Sequence, residues 1–292
     1  MPIKSMLWML GTLTSFCLMA VSIRELSGEI DTFQILFFRS VIGLVVISLI
    51  IVATGKTRCF RIQRIGLHGV RNTFHFAGQY GWFLGIGLLP LAEVFALEFT
   101  VPLWTALIAY VFLKEALTTQ TVTSILLGIM GVLIIVQPGI EIINYASLVV
   151  LGAAICYAIS YVSTKAISST EHPFSIIFMM CLIQFPIGLF LCLASWQSPT
   201  EGQWLWIAII GITALSAHYC ITKAMLYAEV TTVVTMDFFR LPIIAIVGVV
   251  FYSEAIELSI LVGSLLILLG NLLKMSPTKH WNNLLTRLSK AN

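Results

Sequence analysis

Residues 89–104 read LPLAEVFALEFTVPLW, and they open an apolar run that continues from 91 to 113. Inside that run stand one deep carboxylate, Glu98, and a proline, Pro102, placed four residues after it. A helix packed on a soluble core needs only an apolar stripe, whereas a bilayer demands about 20 consecutive apolar residues per crossing. The run is long enough to cross. Its acid and its proline would be costly against lipid, so they must face protein or water.

Outward from this stretch, the chain holds ten such runs, near 4–23, 33–53, 68–88, 91–113, 119–137, 147–166, 174–195, 203–225, 230–252 and 258–275. Their connections are short, which leaves no room for a soluble domain. Of 292 residues, 59% are hydrophobic and 10% charged, against roughly 25% charged in a soluble protein. The missing polar surface must face lipid. A transmembrane barrel would show strands of about ten alternating residues instead. The predicted class is therefore an all-α integral membrane protein. The first run follows Lys4 but lacks a small-residue cleavage pattern, so it reads as a retained helix. Five of the six cysteines lie within apolar runs and none forms a CxxC pair; no disulfide framework, metal site or cofactor is expected.

Charge placement predicts orientation. With the N-terminus inside, Lys4, Lys56, Arg58, Arg61, Arg64, Lys114, Lys165 and Lys223 share one side with the tail's Lys274, Lys279, Arg287 and Lys290. Arg24 alone falls opposite, and the remaining three arginines lie in spans. The positive-inside rule then puts both termini in the cytoplasm, and a bacterial inner membrane is the favoured location. The basic loop at 56–64 sets topology rather than binding nucleic acid.

The two halves resemble each other at a spacing of about 139–141 residues. Leu10-Gly11 matches Leu151-Gly152, Val21–Arg24 matches Val162–Lys165, Glu98 matches Asp237, Glu115 matches Glu254 and Gly131 matches Gly270, while Pro102 and Pro242 stand one residue out of register. Each half holds five runs, an odd number, so the second half must enter the membrane from the opposite side. Inverted repeats of this kind recur in secondary transporters, where exchange of the two halves' conformations moves access across a midplane site. The predicted division is 1–140 for the first five-helix repeat, 141–276 for the second and 277–292 for a basic cytoplasmic tail.

The stretch at 89–104 followed by Lys114-Glu115, its weaker second copy from Met236 to Glu254, Arg39 within Phe37–Ser40, and Arg71 resemble the EamA type of the drug/metabolite transporter superfamily. The resemblance spans nearly the whole chain. It implies ten helices, cytoplasmic termini and a central cavity lined by both repeats. The superfamily's cargoes range from amino acids to S-adenosylmethionine and riboflavin.

Ionisable groups deep in spans cost roughly 2.5–3.5 kcal/mol each, so they mark interior surfaces. Arg39, Glu98, Asp237 and Arg240 qualify, with His75 and His218. Pro102 and Pro242 cannot donate to the carbonyls of Glu98 and Phe238, which places an acid beside a free carbonyl in each half. Such a patch can receive substrate or a proton; Asp237 can equally pair with Arg240 at i, i+3. In the third run Arg71 or Asn72, His75, Gln79 and Trp82 share one helical face. Tyr157, Tyr161 and Thr164 form a second stripe in the sixth run, and the eighth offers His218, Tyr219 and Thr222. Trp104 sits just past the first proline. Aromatic rings in such an interior stack on planar or cationic ligands, although Tyr and Trp also form interface belts and Ser or Thr join helices. Either histidine can relay a proton or remain neutral and hydrogen-bonded. The candidate substrate-binding set is His75, Gln79, Trp82, Glu98, Trp104, Tyr157, Tyr161, His218, Tyr219, Asp237 and Arg240.

No GxxxxGK[ST], HExxH or GxSxG occurs in the sequence, which points away from ATP-driven pumping and from a membrane hydrolase. The expected function is secondary transport of a small organic metabolite, with protons as a candidate coupling ion, by a monomer or homodimer. Acidic and basic groups together favour a zwitterion, amino-acid-like or S-adenosylmethionine-like. The rivals are a scaffold or sensor, which needs no interior charges, and a lipid-modifying enzyme, which needs a catalytic cluster at one interface.

Overall fold

The computed structural model describes residues 3–114, 118–137, 144–255 and 257–275. Glu115, Glu141 and the 277–292 tail therefore lie outside the described residues. Helices cover each apolar run: α1 (Ile3–Leu26), α2 (Thr32–Ala53), α3 (Ile65–Leu88), α4 (Leu91–Glu98), α5 (Val101–Leu113), α6 (Thr119–Val136), α7 (Tyr145–Ser168), α8 (Pro173–Cys192), α9 (Glu201–Met225), α10 (Val230–Met236), α11 (Arg240–Tyr252) and α12 (Leu258–Met275). Six helical stretches are long and apolar enough to cross a membrane, namely Ile3–Leu26, Thr32–Ala53, Leu91–Leu113, Tyr145–Ser168, Pro173–Ser195 and Glu201–Met225. The third run has the length but carries the polar stripe. Asp31 and Asn144 start α2 and α7 by accepting backbone N–H groups, at 2.9 Å from Phe33 N and 2.9 Å from Ala146 N, as short polar caps do.

The distribution of side chains is inverted relative to a soluble protein. Phe112, Phe190 and Phe251 are each at least 75% exposed, while Arg39, Arg71, Arg240, His75 and Gln79 are 2% exposed or less. Water would penalise both choices and lipid rewards both. The chain is an integral membrane protein.

Details recur at the 139-residue spacing. The run at 91–113 breaks between α4 and α5, and the run at 230–252 breaks at a 3-10 turn, Asp237–Phe239, between α10 and α11. Pro102 stands in the first turn of α5, where a missing N–H costs nothing. Both broken rods end on a left-handed residue, Lys114 (φ 57°) and Ser253 (φ 53°), whose N–H groups return to Ala109 O and Gly248 O.

The most extensive pairings each join one half to the other: α1 with α9, α3 with α7, α6 with α12 and α2 with α8. Exchanging corresponding helices maps this set onto itself, since α1–α9 becomes α7–α3 and the other two are unchanged. At α6–α12 the backbones nearly touch. A Cβ on Gly131 would stand 2.6 Å from Gly263 O, and one on Gly270, 139 residues later, would stand 3.0 Å from Ser124 O.

Candidate functional site

The helix breaks position the chemistry. Glu98 is the last residue of α4, Asp237 follows α10, and Arg240 opens α11. Arg240 is 1% exposed, and its Nη2 donates to Glu98 Oε1 at 2.9 Å and to Asp237 Oδ2 at 2.7 Å. The i, i+3 pair read from the sequence is thus present, joined by an acid from the other half. Trp82 Nε1 donates to the second oxygen of Glu98 at 2.7 Å. The guanidinium lies over Phe95 and Phe16, 4.7 and 4.8 Å from the ring centres, a placement that aromatic faces favour for a desolvated cation.

Around this cluster lies a cavity of about 10 Å³, lined by Phe16, Met19, Gln79, Trp82, Glu98, Tyr157, Tyr161, His218 and Arg240. It has room for about one water, far below the roughly 300–1,000 Å³ that holds a drug-sized ligand, so the interior is closed to cargo in this conformation. Tyr157 and Tyr161 stack along α7 with centres 6.1 Å apart and planes 20° from parallel. His75 stands behind the wall, its ring 4.6 Å from His218 and 5.7 Å from Tyr157, and its Nδ1 meets Gln184 Nε2 at 2.9 Å.

Of the eleven residues singled out from the sequence, seven line the cavity: Gln79, Trp82, Glu98, Tyr157, Tyr161, His218 and Arg240. Asp237 joins through Arg240 and His75 through His218. Two stand elsewhere. Tyr219 is one step beyond His218, hence about a quarter-turn around α9, and packs against Trp8 and Phe174. Trp104 lies past the break and donates to Thr100 Oγ1 at 3.2 Å. Phe16 and Met19 were not anticipated, because an apolar residue in an apolar run carries no signal of facing inward.

Chemically, two carboxylates share one guanidinium. Asp237 Oδ1 and the Nε and Nη1 groups of Arg240 have no hydrogen-bond partner among the described residues. If both acids are ionised, the cluster carries one negative charge in excess, in a setting where an unbalanced charge is expensive. It can hold a cationic group or a proton. Among the described residues no three His, Cys, Asp or Glu side chains converge as a metal site would require.

The sequence matches the EamA-like transporter family over residues 3–137 and again over 144–275. It is 28% identical to a riboflavin transporter of Vibrio cholerae, covering 85% of this chain and 84% of the relative. A riboflavin transporter of Brucella anthropi is 32% identical, with 82% and 87% covered. An S-adenosylmethionine uptake transporter of Rickettsia bellii is 24% identical, with 89% of each covered. The fold superposes on a protein of known crystal structure with a TM-score of 0.71, at 18% identity, over 94% of this chain and 97% of that one.

Proposed function

Because the chain belongs to the EamA-like transporter family, we propose that it moves a small organic metabolite across the membrane by alternating access, without converting it chemically. The favoured cargo is an amino-acid-like or S-adenosylmethionine-like zwitterion. The observation that carries this reading is the closed cavity whose wall comes from both halves, with Glu98 from one broken rod and Arg240 from the other. A polar chamber walled by exchangeable halves suits a carrier; a scaffold gains nothing from three buried charges. The excess carboxylate offers a seat for a cationic group or a coupling proton, and the faces of Trp82, Tyr157 and Tyr161 suit a ring-bearing body.

In this reading the molecule has ten spans in two inverted five-helix repeats, divided near residue 140, with both termini in the cytoplasm and the inner membrane as its location. The double family match and the helix pairings that survive exchange of the halves support it. Charge balance favours proton coupling: as cargo leaves, a proton replaces its positive group on Glu98 or Asp237.

The test is uptake into proteoliposomes from a defined mixture containing riboflavin, S-adenosylmethionine and the amino acids, read by mass spectrometry. Saturable accumulation of at least one compound is expected, falling roughly tenfold or more in Glu98→Gln, as loss of a charge-assisted contact predicts. Wild-type protein that moves none of them overturns the reading.

A further inference from the structure

Two arginines lie beyond the cavity wall. Arg39 on α2 and Arg71 on α3 are each 2% exposed. Arg39 Nη2 donates to Gln184 Oε1; its Nε and Nη1 groups have no partner among the described residues. Arg71 donates from Nε to Thr164 Oγ1 at 3.1 Å and from Nη1 to Asn72 Oδ1. Gln184 is itself tied to Asn72 O at 3.1 Å and to His75 at 2.9 Å. The hydrogen-bond partners are amides and a hydroxyl, and the thiol of Cys181 lies within electrostatic reach of both guanidiniums.

The contrast with Arg240 decides what this cluster is for. Among the described residues the ion-paired carboxylates are Glu98, Asp237, Glu171 and Glu254, and none reaches Arg39 or Arg71. The two guanidiniums also repel each other. Neutral partners can orient a buried guanidinium but cannot offset its charge, and an uncompensated buried charge costs several kcal/mol. A purely structural position would be better served by a neutral side chain. Two such charges side by side, with donors left over on one of them, are organised for a negative group that comes from outside the chain.

The cluster also connects to the cavity. His75 contacts Gln184 on one side and the rings of Tyr157 and His218 on the other. Tyr157 lies within electrostatic reach of Arg39 and of Glu98, and Tyr161 within reach of Arg71 and of Asp237. The interior thus has a negative pole at the helix breaks and a positive pole on α2 and α3, with the two tyrosines between.

We propose that Arg39 and Arg71 form an oxyanion subsite that receives a carboxylate or phosphate of the carried metabolite when the chamber opens past His75. The inference rests on the carrier reading above and sharpens it: the cargo bears an oxyanion at one end and a cationic or hydrogen-bonding group at the other. Guanidinium suits this role because its planar donors match carboxylate and phosphate oxygens.

The test uses the full chain, purified, and matched compounds that differ in the anionic group: tryptophan against tryptamine, flavin mononucleotide against riboflavin, and S-adenosylmethionine against its decarboxylated form. Melting is followed at rising concentrations, since a ligand that binds the folded state raises Tm. In at least one pair the oxyanion-bearing member should bind roughly tenfold or more tightly, in keeping with a charge-assisted contact. Arg39→Gln and Arg71→Gln should each erase that preference, while Arg71→Lys, which keeps the charge and tolerates poorer geometry, should retain part of it. The proposal is overturned if no pair shows the preference in the wild-type protein, or if the preference survives both Gln variants. Uptake separates this failure from that of the carrier reading. Flux that is unchanged by Arg71→Gln sinks the subsite alone, whereas a bound oxyanion that wild-type protein does not transport sinks the carrier alone.

Discussion

The two ends of the molecule are closed by equivalent residues in different ways. At one end Arg24, near the C-terminus of α1, donates to Leu89 O at 2.9 Å and pairs with Glu254, whose second oxygen accepts from Leu91 N at 2.8 Å. At the other end Lys165, the match of Arg24 in the second half, donates to Met225 O at 2.7 Å and Ala228 O at 2.9 Å. Leu89 and Ala228 stand at the same 139-residue spacing. One repeat element therefore ties a first helix to the third–fourth junction of its own half at each end, once with a carboxylate from the other half in the knot and once, among the described residues, with carbonyls alone. Glu115, the match of Glu254, lies outside the described residues, so the described contacts set an ion pair joined to a backbone N–H at one end beside two lysine–carbonyl bonds at the other. If the carrier alternates, each knot should hold its own end closed.

The largest effect should come from Glu254→Ala. It strips the charge partner of Arg24 and bares the Leu91 N–H, with both side chains mostly buried, at 18% and 13% exposed. The closed form should lose about 2–3 kcal/mol. In a variant lacking native cysteines and carrying Met19→Cys on the cavity wall, a membrane-impermeant maleimide should then label from the Glu254 side. No gain in labelling from that side would remove this end from the gating scheme.

Lys165→Met should act in the opposite sense and less strongly. Two charge-assisted bonds to carbonyls are lost, one of them on the buried Met225, but no charged partner is left behind, so the cost is about 1–2 kcal/mol. Labelling of Met19→Cys should rise from the Lys165 side. If both variants open the same end, the two knots are not equivalents and the comparison fails.

Most of the fold was legible because lipid is a strict solvent. Ten apolar runs, the breaks beside Pro102 and Pro242, and a deep Glu98, Asp237 and Arg240 stand out where charges are rare. The 139-residue matches lie where the two halves share detail, as the left-handed Lys114 and Ser253 do. What was not legible has one cause. Arg24 and Glu254 could be assigned to the same side from charge alone, but their contact spans 230 residues of chain and depends on how α1 meets α11. Likewise, Phe16 and Met19 are apolar among apolar neighbours, and Tyr219 differs from His218 only by its turn around α9. Arg39 was visible as a costly charge and Arg71 as part of a polar stripe, while the absence of carboxylates near them among the described residues emerges only in three dimensions.

A third change refines the Lys165 end. Glu171 accepts from the amides of Gln63 and Arg64 at 3.3 and 3.1 Å, and meets His68 Nε2 at 3.0 Å, with both side chains nearly fully buried. Glu171→Gln keeps an acceptor but loses its charge, so about 1 kcal/mol of stability should be lost, seen as a lower Tm without a change in labelling from the Glu254 side. A shift in that labelling would mean that the two ends are coupled more tightly than their separate knots imply.

The smallest expected effect lies next to it and depends on pH. His172 caps α8 by accepting the Phe174 N–H on Nδ1 at 3.1 Å. Only an imidazole unprotonated at Nδ1 can do this, and a proton there would also set a positive charge against the positive end of the helix. Burial holds the His172 pKa below its ordinary value of about 6.5, with Lys56 and Lys223 adding to the depression. The folded protein thus binds the proton more weakly than the unfolded chain. The cap's contribution is full above about pH 6.5 and fades as pH falls through that value toward the lower folded pKa, because there the unfolded state takes up the proton first. Tm should therefore drop slightly more on acidification from pH 7.5 to about 5.5 in wild type than in His172→Asn, whose amide oxygen keeps the cap without titrating. Among the described residues the Glu254 knot has no such imidazole, so the acid-induced loosening should show at the Lys165 end alone. Equal acid sensitivity in His172→Asn and wild type would assign the pH dependence to other groups and leave the two ends distinguished only by their knots.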